Sequence, residues 1–290
     1  MIRWMKFKYV YFLISALVII PGVFSLIRFG LKPSIDFTGG TLVEYRFEEQ
    51  VEKEKIIEIL EKNEYHLNSI QSSGDNTYLL RLPPIENGQD FKMKEVLGDK
   101  LGQAPVELRF ETVGPTLGRE LLIKTIVAII LAAGFIVGYV TWRFKNAKFG
   151  VCAILAMFHD TLVLIGIFSL LGYFLNVEID TLFVTAVLTV LSFSVHDTIV
   201  VYDRIRELQK NYPKTDFENL ANEAVTETMS RSLNNSLTII FMLIALFLLG
   251  GATIKWFVLA LLIGTISGTY SSTFNAVPLL VIWQKLKERR

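Results

Sequence analysis

The chain has 290 residues, of which 52% are hydrophobic and 20% are charged, and its mean hydropathy is +0.45. Soluble domains carry about 25% charged residues, so this composition excludes an ordinary soluble domain and indicates a protein that crosses a membrane several times. Lysine and arginine total 29 against 28 acidic residues, which leaves no basic excess to bind nucleic-acid phosphates. The single cysteine, Cys152, excludes an intrachain disulfide and a cysteine-based zinc cluster.

Six apolar windows are long enough to cross a hydrocarbon core of roughly 30 Å, which takes about 20 helical residues. They lie at residues 9–29, 119–142, 150–174, 180–202, 231–250 and 256–282. Basic residues precede the first window, as they do in a secretory signal peptide, but its exit lacks a small-x-small cleavage site and the window is too long. We therefore interpret it as a retained transmembrane helix.

Lysine and arginine concentrate on one side of the predicted membrane. Residues 1–8, 143–149, 203–230 and 284–290 hold 14 of them, whereas the opposite short loops hold only Lys255. By the positive-inside rule, the sequence predicts a multi-pass membrane protein with both termini in the cytoplasm.

The same orientation places residues 30–118 outside the cytoplasm. This segment carries 16 acidic and 10 basic side chains, a surplus that favours a solvated surface. Its pattern predicts strand 41–47, helix 52–63, strand 66–71, strand 77–82, helix 91–101 and strand 106–112. A βαββαβ order is typical of a ferredoxin-like sandwich. We therefore expect three parts: 1–29 with the first transmembrane helix, an extracytoplasmic α+β domain at 30–118, and 119–290 with five further transmembrane helices.

The fourth apolar window carries polar side chains along one helical face. At 100° per residue that face collects Thr181, Thr185, Thr189, Ser192 and His196. Hydroxyl groups in such a stripe commonly serve interhelical hydrogen bonds. Asp197 lies beside the stripe, and a carboxyl at this depth costs about 2.5 to 3.5 kcal/mol on insertion scales. Asp197 is therefore a candidate functional residue.

The uninterrupted apolar run of the fifth window, Leu237–Ala252, is shorter than about 20 residues, and extending it to about 30 Å draws Arg231 into the bilayer. Arg231 shares one helical face with Asn234, Asn235 and Thr238. Since Asp197 lies at a similar predicted depth, the two charges form a candidate pair. The alternative is that Arg231 only reaches outward to the lipid headgroups.

Two His-Asp dipeptides, His159-Asp160 and His196-Asp197, lie in apolar windows and raise the alternatives of a metal site or a membrane-embedded hydrolase. The chain has only three histidines and no HExxH motif, so supporting ligands are lacking. The sequence instead favours a hydrogen-bonded pair or a proton relay at His159 and Asp160. It predicts no metal and no cofactor, and the lack of a P-loop argues against direct use of ATP.

Small residues at helical spacing indicate close helix packing. They occur at two places, Gly134 with Gly138 in the second apolar window and Gly264 with Gly268 in the sixth. We expect both faces to contact other helices, some of them in a partner subunit.

Five segments resemble the signatures of the SecF family, membrane subunits of the bacterial protein-translocation machinery. They are Ser34–Gly40 (SIDFTGG), Val113–Leu121 (VGPTLGREL), Asp197–Glu207 (DTIVVYDRIRE), Ser230–Thr238 (SRSLNNSLT) and Gly268–Ser272 (GTYSS). The first two contain the family-signature residues Asp36, Phe37, Thr38, Gly39, Gly40, Gly114 and Pro115. Ser34 stands where the family usually has glycine, and His196 where asparagine commonly precedes the aspartate.

The resemblance implies a subunit of the RND superfamily that forms half of a twelve-helix bundle and pairs as a heterodimer with a SecD-like protein. It implies work beside the SecYEG channel, possible further accessory subunits, and export of unfolded polypeptide driven by the proton-motive force rather than by enzymatic catalysis. Protons would be the coupling ion, and the family's proton-pathway positions fall on Asp197 and Arg231. Whether His196, His159 and Asp160 take part stays open, and half of an RND-type exporter for a lipid or small molecule is the alternative function.

Overall fold

The computed structural model describes residues 2–86, 88–144 and 146–288. Lys145, Arg289 and Arg290, which contribute to the charge asymmetry of the loops, lie outside the described residues. The chain divides into two compact units, Pro33–Ile126 and a larger unit formed by Met1–Lys32 together with Val127–Arg290.

Ten α-helices and four strands follow a short 3₁₀ turn at Trp4–Phe7 in the described chain. In order they are α1 (Lys8–Phe29), α2 (Ile35–Thr38), β1 (Gly40–Arg46), α3 (Lys53–Lys62), β2 (Ser69–Gly74), β3 (Thr77–Leu82), α4 (Gln89–Leu101), β4 (Val106–Val113), α5 (Pro115–Phe144), α6 (Ala147–Leu175), α7 (Thr181–Asn211), α8 (Phe217–Leu249), α9 (Ala252–Ser271) and α10 (Val277–Glu288). A π-helical turn, Ser272–Ala276, joins α9 to α10.

Six helical segments are long and apolar enough to cross a membrane within the described residues, as the hydropathy windows predict. They are α1, α5, α6, α7, α8 and the continuous segment of α9 and α10. The prediction of six apolar helices is therefore confirmed, by length and composition.

Two of these helices are longer than their windows. α7 continues to Asn211 and α8 begins at Phe217, so most of residues 203–230, expected as a loop, is helical. Hydropathy detects apolar length, whereas these extensions are held by amphipathic packing and by pairing between the helices. They bury Ile205, Leu208, Leu220, Ala224 and Val225, and Arg204 forms an ion pair with Glu227.

The buried core of the larger unit comes mainly from α6 and α7, and α8 and α10 contribute further buried side chains. α1 joins this core through two glycines: a Cβ added to Gly22 would lie 2.9 Å from the Cα of Gly166. One turn further, the hydroxyls of Ser25 and Ser169 lie 2.8 Å apart. Small and hydroxyl side chains thus let the two helices approach closely.

The smaller unit contains an antiparallel sheet with strand order β2-β3-β1-β4. α3 and α4 contribute Ile56, Leu60, Met93 and Leu97 to the core that also encloses Tyr45. All six predicted elements occur, but β2 begins at residue 69 rather than 66. The chain first turns after α3, where the Tyr65 N–H donates to the Leu60 carbonyl and Glu64 has a positive φ of 68°.

Candidate functional site

Asp197 lies on the inner face of α7 and is 6% exposed. Its neighbours Ser194, Thr198 and Val201 are also buried, because they share the face of α7 that packs against other helices. The Ser232 hydroxyl, on α8, donates a hydrogen bond of 2.8 Å to Asp197 Oδ2. The sequence singled out Asp197, and the structure adds Ser232 as its partner.

Arg231 does not reach Asp197. The Arg231 side chain is exposed, and no ion pair joins it to Asp197 in the part of the chain that the structure describes. Successive residues of a helix point about 100° apart, so the face of α8 that presents Ser232 to α7 turns Arg231 away. The expected contact between the two charges is therefore not formed in this structure.

The polar stripe of α7 lies on the outside of the larger unit. Its five members, Thr181, Thr185, Thr189, Ser192 and His196, are all exposed in the isolated chain. The hydroxyls of Thr185 and Thr189 donate to the carbonyl oxygens of the residues four positions earlier, at 3.1 and 2.8 Å. On α8, Asn234, Asn235 and Thr238 are exposed as well. Hence α7 presents a polar outer face, whereas α8 exposes polar side chains beside apolar ones such as Leu237 and Phe241.

A second buried carboxyl occurs at Asp160, on α6, which is 0% exposed. It accepts hydrogen bonds of 2.6 Å from the hydroxyls of Ser267 and Ser271 on α9. His159 Nδ1 lies 3.0 Å from Asp160 Oδ1. The sequence identified the pair but not Ser267, because a lone serine in an apolar helix commonly bonds only to its own backbone.

The structure gives no set of metal ligands. Among the described residues, no group of three or more histidine, cysteine, aspartate and glutamate side chains could hold a metal ion. His196 is exposed whereas Asp197 beside it is buried, so the second dipeptide does not point to one site.

Residues 93–286 match the family model described as protein export membrane protein SecD/SecF, C-terminal. Residues 24–51 match the model of the SecD/SecF GG motif. The chain belongs to the SecD/SecF family.

Relatives within this family match nearly the full chain. The protein translocase subunit SecF of Thermobaculum terrenum is 46% identical, and the match covers 98% of this chain and 94% of that protein. The translocase subunit SecDF of Thermus thermophilus is 36% identical over 89% of this chain but only 35% of its own length. A crystal structure of a translocon-associated SecDF from Thermus superposes on 98% of this chain with a TM-score of 0.87 and 32% identity, and this chain spans 39% of it.

The SecD/SecF GG motif forms α2 and the turn that leads into β1 of the smaller unit. Ser34 begins α2 by accepting a 3.2 Å hydrogen bond from the Asp36 N–H, so serine at this position still caps the helix. Gly39 and Gly40 follow with φ values of +74° and +133°, a backbone region that favours glycine. Phe37, inside α2, is buried.

This turn contacts the second SecD/SecF signature. A Cβ added to Gly39 would lie 2.8 Å from the Cα of Pro115, and one added to Gly118 would lie 2.8 Å from the Gly39 nitrogen. Gly114, in contrast, has nothing within 4 Å of such a Cβ. The two signatures at residues 34–40 and 113–121 thus meet in space, which their separation along the chain did not reveal.

The two predicted glycine faces have different surroundings. A Cβ added to Gly264 would overlap Val190 of α7, and one added to Gly268 would lie 3.4 Å from the Cα of Ser194. Gly134 and Gly138, on α5, have nothing within 4 Å at that position. The sixth-window face therefore packs inside this chain, whereas the α5 face is open.

Proposed function

We propose that this chain is the SecF-type accessory subunit of the Sec preprotein translocase, assisting polypeptide export across the cytoplasmic membrane with the proton-motive force. The observation that carries the proposal is the near-complete match to a SecF protein at 46% identity, with 94% of that protein covered. The buried carboxyl of Asp197 in an apolar helix supplies a candidate for the proton-coupled step.

A SecD-like chain is the proposed partner, in a heterodimer. The support is the SecDF relative, of which this chain matches only 35%, so that most of that protein lies outside the matched region. The exposed polar side chains of α7 and α8 also support a partner, since hydroxyl and amide groups are poorly accommodated by lipid. The SecYEG channel, further accessory subunits and the moving unfolded polypeptide are the other proposed partners, with lipid around them and no nucleic acid.

The partner surface is open to a direct test. Thr185→Cys, made in a Cys152→Ala background, is expected to crosslink to a SecD-like chain in membranes. Phe24→Cys on α1 is the matched control, because Phe24 is also exposed but lies among apolar side chains and away from the open glycine face of α5. Equal crosslinking from both positions, or none from Thr185→Cys, would contradict the proposed partner surface.

The proposed topology places six helices in the membrane, both termini in the cytoplasm and residues 30–118 outside. The loop distribution of lysine and arginine supports this orientation. The proposed division is 1–29, 30–118 and 119–290. We propose a ferredoxin-like sandwich for the middle part, supported by its βαββαβ order and antiparallel β2-β3-β1-β4 sheet.

In the proposed mechanism Asp197 alternately binds and releases a proton, with protons as the coupling ion and no cofactor. Ser232 orients the carboxylate by its hydrogen bond. Arg231 directly precedes Ser232 on α8, so a rotation of α8 against α7 would bring the positive charge of Arg231 toward the unprotonated carboxylate. Each proton that moves down the membrane potential releases about 2.3 kcal/mol per 100 mV, which is enough to bias a conformational equilibrium of a few kcal/mol. His196 is a possible further proton carrier.

The test of the function is preprotein export into proteoliposomes that contain the SecYEG channel and a SecD-like protein. Adding this chain is expected to increase export only when a proton-motive force is imposed. Export that is equally fast without the chain, or an increase that survives collapse of the proton gradient, would overturn the proposal.

A further inference from the structure

Asp160 forms a buried site that the Asp197 mechanism does not use. Its carboxylate is enclosed between α6 and α9 and accepts hydrogen bonds from Ser267, Ser271 and His159. Both oxygens are therefore occupied: Oδ1 by Ser267 and His159, and Oδ2 by Ser271.

Few groups in the described chain compensate the negative charge of the Asp160 carboxylate. Across residues 2–86, 88–144 and 146–288 its only ion-pair partner is the imidazole of His159, and the two serines are neutral donors. The side chains of His159 and Asp160 are 12% and 1% exposed, so solvent screens the pair poorly. An uncompensated buried charge is unfavourable, and one proton shared by the two groups makes the pair neutral.

In the part of the chain that the structure describes, the neighbouring helices bring no other charged group into hydrogen-bond or ion-pair distance of the pair. α9 presents the Tyr270 ring, whose centroid lies 6.5 Å from that of His159, and the Tyr270 hydroxyl donates to the Tyr11 carbonyl oxygen of α1. In the described chain no lysine, arginine, glutamate or second aspartate of α1, α7, α9 or α10 forms a hydrogen bond or ion pair with His159 or Asp160.

The imidazole has a second nitrogen that is available to take up a proton. His159 Nε2 is buried and has no hydrogen-bond partner among the described residues, while Nδ1 is engaged with Asp160. An imidazole with one nitrogen bound to a carboxylate and the other unpartnered can pass a proton between them.

We propose that His159 and Asp160 form a second proton-binding site of this chain, separate from Asp197. The site deepens the proposed function, and only its link to export rests on that function. Ser271 has a second hydrogen-bond acceptor that it can use when the Asp160 carboxylate becomes protonated. A carboxylate accepts from both serines, but a carboxylic acid donates from one oxygen, and the Ser271 hydroxyl has the Gly268 carbonyl oxygen at 3.4 Å as a second acceptor.

Proton binding at Asp160 would change the hydrogen bonding at the junction of α9 and α10. Ser271 is the last residue of α9 and directly precedes the π-helical turn, a feature frequently found at functional sites. At the other end of that turn, the Ala276 carbonyl oxygen accepts a 2.7 Å hydrogen bond from the Tyr202 hydroxyl on α7. The turn thus connects the Asp160 site to the helix that carries Asp197.

Infrared difference spectroscopy of the purified full-length chain, between alkaline and acidic buffer, tests the site without any export assay. A protonated carboxyl gives its own C=O band, which shifts in deuterated buffer. Asp160→Asn is expected to remove one such band that Asp197→Asn leaves in place. His159→Gln is expected to change the pH at which this band appears.

Two outcomes would overturn the proposal. One is a set of carboxylic-acid bands that is the same in Asp160→Asn as in the unmodified chain, which would make the buried aspartate a permanently ionised structural group. Should Asp160→Asn fail to fold, Ser271→Ala replaces it: this variant is expected to shift the frequency of the same band, because it removes one hydrogen bond, and an unshifted band would contradict the site. The expected spectral changes in a chain that does not increase gradient-dependent export would instead count against the proposed function and leave the site in place.

Discussion

At the scale of single residues, burial cost made Asp197 recognisable from sequence, but its contacts were not. A carboxyl in an apolar window is expensive wherever it points, so its position alone marks it. Ser232 was not predicted, because a serine hydroxyl is as readily satisfied by its own helix as by a neighbour. Arg231 is expected from the sequence to contact Asp197, but its neighbour Ser232 makes the contact instead. Successive residues of a helix point about 100° apart, so only one of the two can face Asp197.

Ser232→Ala tests whether the hydrogen bond positions Asp197. Hydrogen bonds to charged groups contribute about 1.5 to 3 kcal/mol, so losing this one is expected to weaken proton-dependent export and to shift its pH profile. The measurement is export rate against external pH, with Ser232→Thr expected to restore the profile. Ser230→Ala is the matched control, since Ser230 is exposed on the same helix. An unchanged profile in Ser232→Ala would remove the positioning role.

At the scale of elements, the sequence gives the kind of each helix and strand more reliably than its ends. The six apolar helices follow from the length of the apolar windows, and the βαββαβ order follows from periodicity. The extensions of α7 and α8 do not, because tertiary packing holds them and hydropathy does not report it. The start of β2 depends on how many residues the turn after α3 takes up, which no pattern in the strand itself encodes.

Glycine packing provides a prediction at this scale. Gly268→Leu is expected to lower the free energy of unfolding by about 1 to 3 kcal/mol, because its side chain must displace α7 near Ser194. Gly138→Leu on α5 is expected to change it by less than about 0.5 kcal/mol, since the position is open. Thermal denaturation of both variants in the same detergent makes the comparison. Equal effects would show that the α7–α9 contact is looser than described.

The smaller unit has a pH dependence that follows from Tyr45. Burial, with Glu107 and Asp90 nearby, raises the pKa of the Tyr45 phenol above its ordinary value of 10.0. The unfolded chain therefore releases this proton at a lower pH than the folded chain does, so stability is retained below about pH 10 and falls as the pH rises beyond it. Tyr45→Phe is expected to flatten this alkaline decline, measured by denaturation of the full chain. A decline as steep as in the unmodified chain would assign it to other groups.

At the scale of the whole molecule, the signatures identified the family while the structure explains why some of them are there. Gly39 and Gly118 lie where the two signatures pack together, and a Cβ on either glycine would come within 2.8 Å of the opposing backbone. Other polar positions remain on the outside of the larger unit, such as Thr189 and Asn234. A single sequence marks them as polar but does not say whether they face this chain or another, because that depends on the assembly. Their exposure favours an incomplete bundle.

In the proposed mechanism, Asp197 couples proton movement to export. The most direct measurement is preprotein export into proteoliposomes, with and without an imposed proton gradient, using Asp197→Asn. Asp203→Asn is the matched control, because Asp203 lies on the same helix but pairs with Arg143 and Arg206. Asp197→Asn is expected to abolish the gradient-dependent increase while assembly and ATP-driven export continue, and Asp203→Asn is expected to retain it. Full gradient-dependent export by Asp197→Asn would contradict the claim.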